Sequence, residues 1–89
     1  MMSLAELFDP SVLVTSPPPG TVNVQTGTAI EGPGGRWVPC ASAVPDGTYV
    51  PCVYEVGPGR RQVCNTSQPT PFVDEALSRA ITLATTAAA

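Results

Sequence analysis

The sequence predicts a small α+β fold: an antiparallel β-meander with an extended N-terminal arm, a short N-terminal helix and a C-terminal helix. Three observations predict it. Gly35-Arg36-Trp37-Val38-Pro39-Cys40, Gly47-Thr48-Tyr49-Val50-Pro51-Cys52 and Gly59-Arg60-Arg61-Gln62-Val63-Cys64 are near-copies of one phrase, with cysteines twelve residues apart. Residues before them are rich in proline and glycine. After them, Thr70-Pro71 introduces apolar residues at helical spacing. The chain therefore divides into residues 1–35 (helix and arm), 36–69 (β region) and 70–89 (helix).

Ser3-Leu4-Ala5-Glu6 fits a capping box, and Leu4, Leu7 and Phe8 supply one apolar face for a helix of one or two turns. Asp9-Pro10 stops it, because a residue before proline avoids the helical region. Val12-Leu13-Val14 reads as a short strand. Ser16-Pro17-Pro18-Pro19-Gly20 predicts an extended polyproline path. In Thr21–Thr26 the alternation places Val22 and Val24 on one face of a strand. Glu31–Gly35 reads as a loop. Because residues 10–35 have no core of their own, they are expected to lie against other subunits.

In the β region, Val50, Cys52, Tyr54 and Val56 share one face, and Tyr49, Pro51, Val53 and Glu55 the other. Val44-Pro45-Asp46-Gly47 and Gly57-Pro58-Gly59 are turn signals. Turns centred on Asp46 and Pro58 set Cys40 and Cys64 opposite Cys52, one on each side. Pro39 and Pro51 conflict with a regular ladder, since proline cannot donate to it. Pro51, in the middle strand, calls for either a bulge or a side that is not fully paired, so the register is expected to be imperfect.

At the C-terminal helix, Thr70 is the expected N-cap and Pro71 the first helical residue. Asp74 and Glu75 suit the positive end of the helix dipole. Val73, Leu77, Ala80, Ile81 and Ala84 form the expected apolar stripe, with Ser78 and Arg79 facing away. Thr85, Thr86 and the alanines after them are expected to fray unless packed on a partner.

Composition bounds the function. Charged residues make up 12% of the 89-residue chain, with no lysine or histidine; ordinary soluble domains carry about 25%. Together with a 43% hydrophobic content, this leaves little polar surface to keep a monomer soluble, and points equally to a surface covered by other chains and to a genome whose codon usage favours Ala, Gly, Pro and Arg over Lys. A net charge of −3 argues against nucleic acid. Arg36, Arg60 and Arg61 make at most a small patch, equally suited to a carboxylate-bearing partner. No apolar run reaches the ~20 residues needed to cross a bilayer. Met1-Met2-Ser3 lacks a basic segment, which argues against a secretory signal and for synthesis in a reducing cytoplasm. Asn65-Thr66-Ser67 then matches a glycosylation acceptor by chance.

Catalytic constellations are missing. There is no histidine for general-base work, no glycine-rich loop with a lysine for phosphate, and no convincing carboxylate pair. No cofactor is expected. Three readings of Cys40, Cys52 and Cys64 stay open: reduced and inert core residues, ligands of a metal such as Zn²⁺, or disulfide partners. Three thiols without histidine fall one short of a closed zinc site. As an odd number, they leave one to pair with another chain or stay free.

Disulfides in a chain made under reducing conditions fit a protein that later leaves the cell. The layout resembles the small accessory proteins of tailed bacteriophage particles, such as capsid decoration or cement proteins. The resemblance rests on the Pro/Gly arm of residues 16–35, the Gly-turn β region of residues 36–65 and the absence of an active-site set. It implies a non-enzymatic virion subunit, made in the host cytoplasm. Its arm, with Pro17, Pro18, Pro19, Val22 and Val24, would add a strand to a neighbouring shell protein. Partners would be the major structural protein of the assembly and copies of itself, with no nucleic acid or membrane. The alternatives are a small cytosolic protein-binding module docking through a Trp37 and Tyr49 face, and a metal or redox protein.

Overall fold

The computed structural model describes residues 13–14, 19–57, 62–65 and 69–89, with residues 13–14 described by their backbone alone. The expected N-terminal helix, Pro17, Pro18, Arg60 and Arg61 lie outside the described residues. Among the described residues seven elements follow in chain order: β1 (Leu13–Val14), β2 (Val22–Thr26), β3 (Ile30–Gly32), β4 (Gly35–Ala43), β5 (Tyr49–Val56), β6 (Gln62–Asn65) and α1 (Val73–Ala88). All strand pairs are antiparallel, and the sheet runs β1-β6-β5-β4-β2, with β3 also on β4. β2 and β3 share the same edge of β4, so the six segments fill five positions. The architecture is α+β, as the sequence predicts.

The β4–β5 hairpin is the centre of the fold. Its register is unbroken from Arg36↔Val56 to Ala43↔Tyr49. The connection is the expected turn: Val44 N–H donates to Thr48 O at 2.9 Å, and Gly47 takes φ +93°, a conformation that favours glycine. The Asp46 carboxylate accepts from the Thr48 N–H at 2.9 Å and from its hydroxyl at 2.6 Å, which holds the Asp46 carboxyl below its ordinary value of 3.8.

Of the two readings of the prolines, the bulge is absent from the central hairpin, whose register is unbroken, and the incompletely paired side is present, for a reason that lies in the ladder. Tyr49 exchanges both backbone hydrogen bonds with Thr70, so odd residues of β5 aim their N–H and C=O away from β4. The missing N–H of Pro51 therefore points to the β6 side, just past the last β5–β6 pair, Cys52↔Cys64. In the same way Pro39 aims outward, where its carbonyl accepts from Gly27 N–H at 2.9 Å. Its missing donor falls at residues 27–29, the break between β2 and β3. Each proline sits where one side of its strand is unpaired.

The expected arm needs correction. β2 and β3 are strands of this chain's own sheet, and β1 pairs with β6, so these segments do not avoid their own domain. The β region accordingly begins before residue 36. Pro19-Gly20, expected on a polyproline path, forms an exposed turn with Gly20 at φ +86°. In β2 a bulge between Asn23 and Gln25 breaks the Val22/Val24 alternation. Val22 and Gln25 stand opposite Ala43 and Ala41, and Val24 is the extra residue.

One face of the sheet carries α1. Trp37, Val53 and Val63 form its core with Ala84, Ala87 and Ala88, and half-buried Ile30 and Leu83 pack beside them. The buried stripe of α1 is Ala76, Ala80, Ala84, Ala87 and Ala88. This corrects the expected stripe: Ile81 is 44% exposed, and Val73 and Leu77 are half-buried. Small side chains let the helix backbone come close to the sheet. The expected N-cap also moves. Phe72 precedes the helix, while Thr70 is held on β5 by its bonds to Tyr49. The Thr70 hydroxyl still serves the helix start, accepting from Phe72 N–H at 3.2 Å and donating to Glu75 at 3.0 Å.

The last turn of α1 does not fray, because it docks on the β3–β4 turn. Gly34 N–H donates to Ala88 O at 2.8 Å, so the loop supplies a partner for a carbonyl at the helix end. A Cβ on Gly34 would lie 2.3 Å from Ala87 O, and one on Gly32 2.3 Å from Ala88 O. Both contacts are with backbone and cannot swing aside. Gly34→Val is therefore expected to destabilise by about 1–3 kcal/mol, the usual cost of overpacking. Amide exchange should quicken in residues 84–89 before it does in β5. Unchanged exchange at the helix end would show that the close approach is not needed.

Candidate functional site

The face opposite α1 carries the cysteines. Cys40↔Cys52 and Cys52↔Cys64 are direct cross-strand partners, so the three stand at one level on β4, β5 and β6. All three are fully buried and cluster with Val50, against half-buried Val44 and Tyr54. Cys52 and Cys64 form a disulfide with a Cα separation of 4.1 Å, and Cys40 is a buried free thiol. That separation belongs to the close, non-hydrogen-bonded kind of pair. Cys40↔Cys52 is then the wider, hydrogen-bonded kind, in agreement with the outward-facing backbone of Pro39. An interchain bond from Cys40 has no open path in this arrangement, because the thiol is fully covered.

A polar chain runs beside the sulfurs. Ser42 Oγ and Tyr54 Oη both donate to Asn23 Oδ1 at 2.7 Å, tying β4 and β5 to β2. Gln62 Nε2 donates to Tyr54 Oη at 2.9 Å and to Cys64 Sγ at 3.4 Å. The Cys40 thiol points to Ala41 O at 3.6 Å, with Thr26 Oγ1 at 3.8 Å and Ser42 Oγ at 4.0 Å. Burial is the main cause that raises Tyr54 above the ordinary phenol value of 10.0; its hydrogen bond to Asn23 works the other way, and the Cys40 sulfur adds to the rise. Among the described residues every buried side-chain nitrogen or oxygen has a partner, so this network is satisfied. Neither Asn23 nor Gln62 stands out in the sequence. Both were visible only as polar residues in alternating strands, and their role depends on the bulge and on register.

The remaining candidates scatter. Trp37 is 1% exposed and donates its indole N–H to Gly34 O at 3.2 Å. It is core, which removes it from a docking face. Tyr49 is half-buried on the same face but at the other end of the β4–β5 ladder. Arg36 is exposed and lies on the opposite face from Trp37. Pro19, Val22 and Val24 are exposed, the two valines at 61% and 49%. A shallow depression lined by Pro51, Asn65, Arg79, Thr82 and Leu83 lies between α1 and the sheet. Arg79 there is paired with Glu75.

Among the described residues no three potential ligands gather to hold a metal ion, and no helix is long and apolar enough to cross a membrane. Comparisons with protein-family models, curated proteins and solved structures find no match to this chain.

Proposed function

We propose that this chain is a non-enzymatic structural subunit of a large assembly, a virion accessory protein of the decoration or stabilising kind. It would be made in a host cytoplasm and dock on the major structural protein and on copies of itself. The observation that carries the reading is the β2 edge. Among the described residues β2 is the outermost strand on its side of the sheet, all five of its residues are exposed, and Val22 and Val24 put apolar surface there. An open, apolar edge strand is a site for strand addition and a hazard in a free monomer. The charge-poor composition supports the same reading, as do exposed Val56 and Phe72.

In this reading the docking element is the β2 edge, which is built into the domain, rather than a free arm. The test is to purify particles released when cells carrying the gene lyse, and to quantify the chain against the particle's main protein by mass spectrometry. A fixed stoichiometric ratio that survives gradient purification is expected. Absence from particles, with the chain recovered only among free cellular proteins, would favour the protein-binding module instead.

A further inference from the structure

We propose that the disulfide moves within the cysteine row: Cys40 displaces Cys64 from Cys52, shifting the bridge from the β5–β6 pair to the β4–β5 pair. The inference does not rest on the virion reading.

Geometry supplies the first argument. Displacement at a disulfide sulfur places the entering and leaving sulfurs on opposite sides of the one attacked. Cys40 and Cys64 flank Cys52 in that way, on one face and at one level of three adjacent strands. A hydrogen-bonded cross-strand pair such as Cys40↔Cys52 has its Cα atoms about 5.5 Å apart, inside the range that disulfides span. Both bridges therefore suit the same backbone, and no strand has to change register.

The step balances. Cys40 loses its proton and its thiolate attacks Cys52 Sγ. The Cys40–Cys52 bond forms as the Cys52–Cys64 bond breaks, and the electron pair leaves on Cys64, which takes up a proton. One thiol and one disulfide stand on each side, so no outside oxidant or reductant enters. The neighbours suit both ends. Gln62 Nε2 already donates to Cys64 Sγ at 3.4 Å, where the leaving charge appears. The Thr26 and Ser42 hydroxyls stand at 3.8 and 4.0 Å from Cys40 Sγ, where the entering charge appears. Complete burial of all three sulfurs keeps external thiols out and confines the exchange to one chain.

Cleavage after Arg36, Arg60, Arg61 and Arg79 makes the test direct, because Cys40 and Cys52 fall on one peptide and Cys64 on another. The oxidised protein is held in mildly alkaline buffer free of added thiol, quenched in acid at intervals, alkylated and digested without reduction. The proposal expects the alkyl label to appear on Cys64 over time, while the two peptides become separable and the Cys40–Cys52 peptide carries no label. A Cys40→Ser variant, which has no attacking sulfur, sets the background and should show no label on Cys64. Cys64→Ser should carry a Cys40–Cys52 bridge without free thiol. If that variant does not fold, the wild-type time course decides alone. Label confined to Cys40 in the wild type, with Cys64 no higher than in Cys40→Ser, overturns the proposal.

Discussion

Trp37→Ala is expected to cost about 3–5 kcal/mol, the range for removing a large buried ring. A small domain has only about 5–15 kcal/mol in all. Trp37 joins three parts of the structure: it touches Val53 and Val63 in the sheet, forms the floor beneath Ala84, Ala87 and Ala88, and holds the β3–β4 turn through its bond to Gly34. Removing it opens a cavity, takes a donor from the Gly34 carbonyl and loosens the turn whose N–H serves the helix end. Urea unfolding followed by circular dichroism measures the loss, since Trp37 is the chain's sole tryptophan and its fluorescence disappears with it. Phe72→Ala is the control: Phe72 is 64% exposed, and surface changes of this kind stay within about 0.5 kcal/mol. A Trp37→Ala loss no larger than that of Phe72→Ala would mean the ring is not the centre of the helix–sheet core.

Loss of the disulfide is the second large effect. A bridge closing a loop of this size contributes about 2–4 kcal/mol, and in a domain this small each kcal/mol moves Tm by roughly 4–8 °C. Full reduction is expected to lower Tm by roughly 8–32 °C, the product of those two ranges. The three single variants should rank by position in the row. Cys52→Ala is expected to be the most damaging, because Cys52 is the partner in both possible bridges. Cys64→Ala should lose less, since Cys40 can then pair with Cys52. Cys40→Ala removes a buried sulfur and keeps the Cys52–Cys64 bridge, so it should lose least. Scanning calorimetry under oxidising conditions gives the ranking. Equal losses at Cys52 and Cys64 would show that the row does not share its bridge.

The cysteine row was the most legible part of the fold. Three strands at twelve-residue spacing, two turn signals and the alternation of residues 49–56 suffice to pair Cys52 with both neighbours. That two of the three would bond, and which two, was not legible, because it depends on the kind of pair each makes. The prolines left two readings open for a related reason: a sequence shows that Pro39 and Pro51 lack an N–H but not which edge that N–H would have faced, and the partly unpaired side is the one the fold has. The edge strands were missed as part of the sheet because β2 buries nothing. Its residues satisfy their backbone on β4 without leaving a core pattern, and the bulge at Val24 removes the alternation that remains. In α1 the larger side chains drew attention to Ile81, whereas the buried stripe is alanine, whose value lies in close approach rather than area. Its partners Gly32 and Gly34 read only as a loop. Of the residues the sequence offered for an interface, Val22 and Val24 are exposed and Trp37 is buried in the core.

Sedimentation velocity over a wide concentration range tests the proposed docking role of the β2 edge. The wild-type chain is compared with a Val22→Lys, Val24→Lys double variant, since lysine on an edge strand blocks strand addition. Both valines are exposed, so the variant should keep the wild-type circular dichroism. The wild-type sedimentation coefficient is expected to rise with concentration, while the variant remains a monomer throughout. A wild-type chain that stays monomeric across the range, indistinguishable from the variant, would contradict that role.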